Sequence, residues 1–279
     1  MDIEAFLAEL PRAFEGPPEL GVPADGRFAD LVEHVSGFTT PAELAVLSLA
    51  ASLLPETEAY LEVGTFKGRS VCAVLPVAAK RRVVAVENFL EFGMLGTDAR
   101  EELRANLERY APEGSDFELL EGDCFEVLAS PAAVGRPVGV YFYDGAHTGL
   151  AHWLALGVVE PLLADEALVL VDDASWPMVA RATERYVRAH PDWSLLRTFE
   201  AAHDDDPRWA NGLALLAYRR SGATAARLSP DVQVRRVFQV RVRGPATSLV
   251  WRALHRFPGL VPLAKRLVPK RSRSVGPGG

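Results

Sequence analysis

AYLEVGTFKGRS, residues 59–70, decides how the rest of the chain is read. A β-type run leads into a turn with glycines at 64 and 68, and an apolar helical stretch, SVCAVLPVAAK, follows. Glycine at these positions lets the backbone turn tightly and approach a bound group, while the free amides at the start of the next helix favour anionic atoms. Strand, glycine turn and helix in that order begin a parallel α/β unit with a binding site at the carboxyl end of the strand. The turn is no dinucleotide fingerprint, which needs a third glycine in GxGxxG. Nor is it a Walker loop, because the order is Lys67-Gly68-Arg69-Ser70 rather than Gly-Lys-Ser.

The same alternation repeats outward from this turn. RVVAVE (82–87), DFELLEG (116–122), VGVYFYD (138–144) and ALVLVDD (167–173) are short apolar runs separated by helix-length stretches such as DAREELRANLERY and GLAHWLALGVVEPLL. That pattern predicts a mainly parallel sheet with helices on both faces. WSLLRTFEA (193–201) and GLALLAYRR (212–220) are joined by a loop short enough for antiparallel pairing. Upstream, Thr40-Pro41-Ala42-Glu43 supplies a capping threonine, a proline at the first helical position and a glutamate at the third, starting a helix that ends near Pro55. Val232–Arg243 (VQVRRVFQVRVR) alternates as one further strand, and Ala246–Lys270 reads as a basic amphipathic helical region broken at Pro258 and Pro262. The chain thus divides into an N-terminal helical and loop segment (1–37), an α/β domain (38–220) and a basic C-terminal extension (221–279). The last residues of the extension, RSRSVGPGG, are expected to be disordered.

Acids collect at the strand ends. Glu87 lies 23 residues past Gly64, where a carboxylate can accept hydrogen bonds from a ribose diol, and Asp123 follows the third strand within reach of a base amino group. Taken singly, both also read as surface acids. Asp144 closes the fourth strand, and Asp172 with Asp173 closes the fifth after one crossover helix. Neighbouring strands lie about 4.8 Å apart, so three carboxylates converge at one sheet edge. Bare carboxylates would repel one another there, and a hard divalent cation (Mg²⁺, Mn²⁺ or Ca²⁺, which prefer oxygen ligands) relieves that repulsion. A second reading makes Asp173 the cap of the helix containing Tyr186 and leaves Asp144 without metal. His147, three residues past Asp144, suits a general base near neutral pH, although a lone histidine is as readily structural. His152, beside Trp153, reads as helix packing, and His203-Asp204-Asp205-Asp206 as a solvated loop.

In this order and spacing, LEVGTFKGRS, VVAVE, EGD, YFYDGAH and LVLVDD resemble the motifs of class I S-adenosylmethionine-dependent O-methyltransferases. The branch is the small-molecule one that includes catechol, caffeoyl-CoA and macrocin-type enzymes, and the resemblance covers residues 38–220. It implies a Rossmann-like seven-stranded sheet, mainly parallel with an antiparallel last strand, in which the first, fourth and fifth strands lie side by side. It also implies methyl transfer from S-adenosylmethionine to a hydroxyl. By this resemblance Glu62, Gly64 and Ser70 hold the methionine end of the cofactor, Glu87 the ribose and Asp123 the adenine, and Thr65 and Phe66 also bind the cofactor. Asp144 serves both cofactor and metal, and Asp172 and Asp173 complete a Mg²⁺-type site. His147 stands where the macrocin-type enzymes carry a histidine base and the catechol type a lysine. One departure is Leu163-Ala164-Asp165-Glu166, where these families turn with Pro-Gly-Gly before the fifth strand. A metal-independent methyltransferase, another natural-product enzyme on this fold and a non-catalytic cofactor-binding subunit all remain open, and the acceptor is unnamed.

Composition bounds the partners. With 279 residues, 49% of them hydrophobic and 24% charged, the chain can bury a sizeable core. Cys72 and Cys124 lack metal-binding spacing and are expected to be free thiols. The acidic N-terminus is unlike a secretory leader and no apolar run reaches the roughly 18 to 20 residues that span a bilayer, so a cytoplasmic location is expected. Residues 219–279 hold 14 of the 30 Lys and Arg and a single acid, Asp231. The body is therefore about −20 and the tail about +13, which speaks against nucleic acid binding by the body. The tail is expected to dock on the acidic body, its own or that of a second copy in a homo-oligomer, or else to contact an anionic membrane surface.

Overall fold

A computed structural model describes residues 1–90, 99–130, 132–222, 228–246, 249–250 and 256–257. Seven strands form one sheet: β1 (Ala59–Val63), β2 (Arg82–Glu87), β3 (Asp116–Glu121), β4 (Val138–Tyr143), β5 (Leu163–Val171), β6 (Trp193–Phe199) and β7 (Leu213–Arg219). Their order is β3-β2-β1-β4-β5-β7-β6. The first five are parallel, and β7 enters antiparallel between β5 and β6, as the short connection predicts. Strand order reverses at β1, with β2 on one side and β4 on the other, so a crevice forms beyond their carboxyl ends.

Alternate strand residues feed two cores. On one face Tyr60, Val83, Phe142 and Leu170 pack beneath α1 (Ile3–Glu9), α2 (Arg27–His34), α3 (Pro41–Ser52) and α4 (Arg69–Val74). α5 (Ala99–Tyr110) adds Leu107 to that side. On the other face Leu61, Val84, Tyr141 and Val169 pack beneath α6 (Cys124–Val127), α7 (Gly149–Val159) and α8 (Pro177–Ala189). The N-terminal segment is continuous with the first core, because Ile3, Phe6, Leu10, Phe28 and Leu31 are buried in it. At the start of α3 the Thr40 side chain accepts from the Glu43 amide and the Glu43 carboxylate accepts from the Thr40 amide, so both bonds of the expected capping box form. Both cysteines are free. Among the described residues no helix is long and apolar enough to cross a membrane.

Two expectations are corrected. Leu163-Ala164-Asp165-Glu166 is not a turn but the start of β5, and the chain reverses earlier in a 3₁₀ turn at Glu160–Leu162, where Pro161 presets the backbone angle. Residues 232–243 form no strand. They make α9 (Pro230–Phe238), continued by a π-helical turn at Gln239–Arg243. Ser229-Pro230-Asp231 is a helix start, with proline at the first position and an acid in the first turn. The Val/Arg alternation is equally served by a helix that buries the single stripe Val232 and Gln239, seven residues apart. Of the basic region expected over Ala246–Lys270, residues 246, 249, 250, 256 and 257 are described, with Leu249, Val250 and Phe257 exposed. The rest of it, and the RSRSVGPGG end, lie outside the described residues.

Gly64 adopts φ +94°, and a Cβ there would overlap the backbone carbonyl of Asp144. Left-handed backbone costs an L-residue about 1 to 2 kcal/mol before any clash is counted. Gly64→Ala should therefore lower unfolding free energy by more than ~2 kcal/mol in urea titrations; a wild-type midpoint would contradict this packing.

Candidate functional site

The crevice is a cavity of about 560 Å³, within the range of small-molecule sites. Gly64, Thr65, Phe66 and Ser70 from the turn after β1 line it, as do Glu87, Asp123, Asp144, His147, Asp172 and Asp173. Of the expected site residues, Glu62 alone is absent from this lining. It is buried below, where Ser70 Oγ donates to its carboxylate at 2.9 Å and Tyr60 Oη at 3.0 Å. Burial raises its pKa to about 7, only partly offset by those hydrogen bonds.

The turn is held by its neighbours. The Gly68 amide bonds the Thr65 carbonyl at 2.7 Å, and Phe66 sits at φ +48°. The Glu87 carboxylate accepts from the amides of Phe66 at 2.9 Å, Asn88 at 2.7 Å and Phe89 at 2.9 Å. Three charge-assisted bonds lock both of its oxygens in the cavity wall. Asp123 caps α6 through the Phe125 amide at 2.8 Å, and burial raises its pKa.

At the ends of β4 and β5 the structure brings Asp144, His147, Asp172 and Asp173 together. His147 Nε2 lies 2.8 Å from Asp173 Oδ2 and 3.6 Å from Asp144 Oδ1. The closer contact is an ion pair out of line for a hydrogen bond, so both atoms keep unmet hydrogen-bonding capacity. Burial pulls the His147 pKa down, but the two carboxylates prevail and raise it to about 10. Burial, followed by the charges of Asp144, Glu43 and Asp173, holds Asp172 well above the usual carboxylate range, and burial raises Asp144 as well. Asp144, His147 and Asp173 each present one ligand atom within 4.8 Å of the others. The helix-cap reading of Asp173 fails: Trp176 is the residue at the N-cap of α8, and Asp173 instead accepts from Asn211 Nδ2 at 2.8 Å. His152 packs as expected, fully buried and edge-on to Tyr143 at 5.0 Å.

Several contributors escaped the sequence reading. Glu43, assigned there only as a cap, is buried with one oxygen lacking a partner, and burial lifts its pKa to about 8. In the expected solvated loop at 203–206, His203, Asp204 and Asp205 are exposed as expected, but Asp206 anchors it. Asp206 is buried and accepts from the Ala202 and Arg208 amides and from the Arg208 guanidinium, which holds its pKa low. That order puts Asp205 and Asn211 on the cavity wall. Ser36–Thr39 line the cavity too, tied down by Arg69, whose guanidinium donates to the carbonyls of Val35 at 2.6 Å and Thr39 at 2.9 Å. Phe38, 61% exposed, stacks on Phe66 at 5.7 Å. Arg69 stands inside the turn motif, but its partners lie about thirty residues upstream, a distance that no local pattern bridges.

Residues 61–174 match the family model of a methyltransferase domain. No curated protein matches the chain. Among solved structures, the O-methyltransferase from Bacillus cereus in complex with SAH is 14% identical with a TM-score of 0.53, over 78% of this chain and 100% of that one. The O-methyltransferase TomG from Streptomyces achromogenes, involved in tomaymycin synthesis and in complex with SAM, is 16% identical with a TM-score of 0.51, over 79% and 100%. Cofactor-bound Rv0187 from MTB is 20% identical with a TM-score of 0.52, over 79% and 97%. These likenesses are of fold, whereas the family match spans the glycine turn, the acidic strand ends and the His147 loop together. Residues 61–174 thus match a methyltransferase-domain model, and the sheet that carries them has the fold of these solved O-methyltransferases.

Proposed function

We propose that the protein transfers a methyl group from S-adenosylmethionine to a hydroxyl of a small molecule (a sugar, polyol or phenolic compound), assisted by a divalent cation. The observation that carries this reading is that the glycine turn with Glu87 and the cluster of Asp144, His147, Asp172 and Asp173 line the same cavity. S-adenosylmethionine supplies an electrophilic methyl group that an oxygen nucleophile takes in line. Glu87 would accept from the ribose hydroxyls and Asp123 would face the adenine. Gly64, Thr65, Phe66 and Ser70 would surround the methionine end, with Glu62 orienting Ser70 from below. Asp172 Oδ1 and Asp173 Oδ2 are buried oxygens without hydrogen-bond partners, a donor set that fits Mg²⁺ or Mn²⁺. With Asp144 they would hold the ion, which would lower the pKa of a bound hydroxyl. The role of His147 is to accept the hydroxyl proton at Nε2, which requires Asp144 and Asp173 to be engaged elsewhere.

A second reading rests on the 2.8 Å ion pair: the His147 imidazolium is itself the counter-cation of the cluster, and transfer proceeds without metal. Isotope transfer from labelled S-adenosylmethionine to vicinal diols and phenols, in EDTA and with Mg²⁺ restored, separates the two. Loss and recovery are expected; full turnover in EDTA would remove the metal from the proposal. Binding of S-adenosylhomocysteine without transfer to any acceptor would favour a non-catalytic cofactor-binding subunit. Glu87→Gln keeps the shape of a side chain that also holds three amides, and should weaken S-adenosylhomocysteine binding by about 1.5 to 3 kcal/mol in calorimetry. Unchanged affinity would take Glu87 out of the site.

The ion pair also predicts a pH dependence. The folded-state pKa of His147 is raised from 6.5 to about 10, so the folded state binds the proton more tightly than the unfolded chain does. That stabilisation is complete below pH 6.5 and disappears as pH climbs through about 10. In EDTA the wild-type melting temperature should fall across this window, and His147→Gln should lack that part of the slope. Parallel curves for the two proteins would refute the ion pair.

A further inference from the structure

The C-terminal segment reaches the cavity. α9 is seated on α7, with Val232 buried against Gly157, where an added Cβ would lie 2.7 Å from the valine. Arg235 covers the Trp153 ring at 4.7 Å, and the Arg236 guanidinium donates to the Phe125 carbonyl at 3.2 Å. The π-helical turn that follows packs against α6 and brings Gln239, Arg243 and Gly244 into the cavity wall beside Asp123. A Cβ on Gly244 would come within 3.4 Å of Asp123 Oδ2, so this wall is in close contact with the loop after β3. Gln239 is 8% exposed, and its Oε1 is buried without a hydrogen-bond partner. A buried carboxamide oxygen left unpaired is destabilising, and a ligand N–H would satisfy it.

We infer that the segment Pro230–Gly244 completes the nucleobase end of the cofactor site, and that the Gln239 carboxamide recognises the 6-amino group of the adenine. The inference rests on the S-adenosylmethionine reading above. Glu87 and the loop Gly122–Phe125 mark the nucleoside side of the cavity, and Gln239 stands against that loop. A glutamine oxygen accepts from the exocyclic amine of adenine while its amide donates to a ring nitrogen, a pairing that favours adenine over bases with a carbonyl at that position. The basic extension therefore has a part inside the site, in addition to its surface charge.

Calorimetry with S-adenosylhomocysteine and with S-inosylhomocysteine, whose 6-position carries oxygen instead of the amine, tests this without turnover. The wild type should prefer the adenine compound, and Gln239→Met, of similar size but without the carboxamide, should narrow that preference about tenfold. Gln239→Asn, which keeps the polarity but shortens the reach, should narrow it likewise. A purely structural role would weaken both ligands equally, and an unchanged ratio in the folded variants would overturn the assignment, as would a wild type that does not discriminate. A wild type that binds neither compound would overturn the cofactor reading itself and this inference with it.

Discussion

The approach of Gly64 to the main chain of Asp144 is the contact on which the site depends. Where β1 ends, the Asp144 amide donates to the Val63 carbonyl at 2.9 Å and the Gly64 amide to the Val86 carbonyl at 3.0 Å, so the turn is bonded to both neighbouring strands. Absence of a side chain at Gly64 lets the glycine turn lie directly against the loop that carries the acidic cluster. One end of the cavity therefore cannot be displaced without moving the other, which is how a site built from two strand ends keeps its geometry.

Charge is the second constraint. The charges of Asp144 and Asp173 disfavour ionisation of Glu43 and of Asp172, where burial already works against it. A proton on Glu43 or Asp172, and the imidazolium of His147 beside Asp144 and Asp173, relieve that repulsion. Such concentrations of perturbed acids occur where chemistry is done, because packing alone gives no reason to keep them.

Enclosure comes from both ends of the chain. Arg69 clamps the segment before α3 through backbone carbonyls, which puts Phe38 beside the glycine turn; α9 and its π-turn close the wall near Asp123. The β6–β7 loop adds Asn211, which connects the cluster to the antiparallel end of the sheet. Three surfaces far apart in sequence thus shape a cavity whose floor comes from the central parallel strands.

The strands, the glycine turn, the capping box at Thr40 and the acids at strand ends were legible from residues 40–220 because each rests on local chemistry: alternation of apolar runs, backbone freedom at glycine, and a side chain satisfying a free amide. The convergence of Asp144 with Asp172 and Asp173 was legible as well, since a parallel crossover leaves adjacent strand ends few other arrangements. What only the tertiary structure decided is each group's partner. It placed Glu62 below the cavity wall, set His147 in an ion pair, added Glu43 to the acidic neighbourhood and turned the 203–206 run into an ordered loop through Asp206. The Val/Arg pattern of residues 232–243 fits a strand or a helix equally well by period, and the groove at Gly157 decided it, because a small residue on α7 leaves room for Val232 and none of that room is visible from either segment alone.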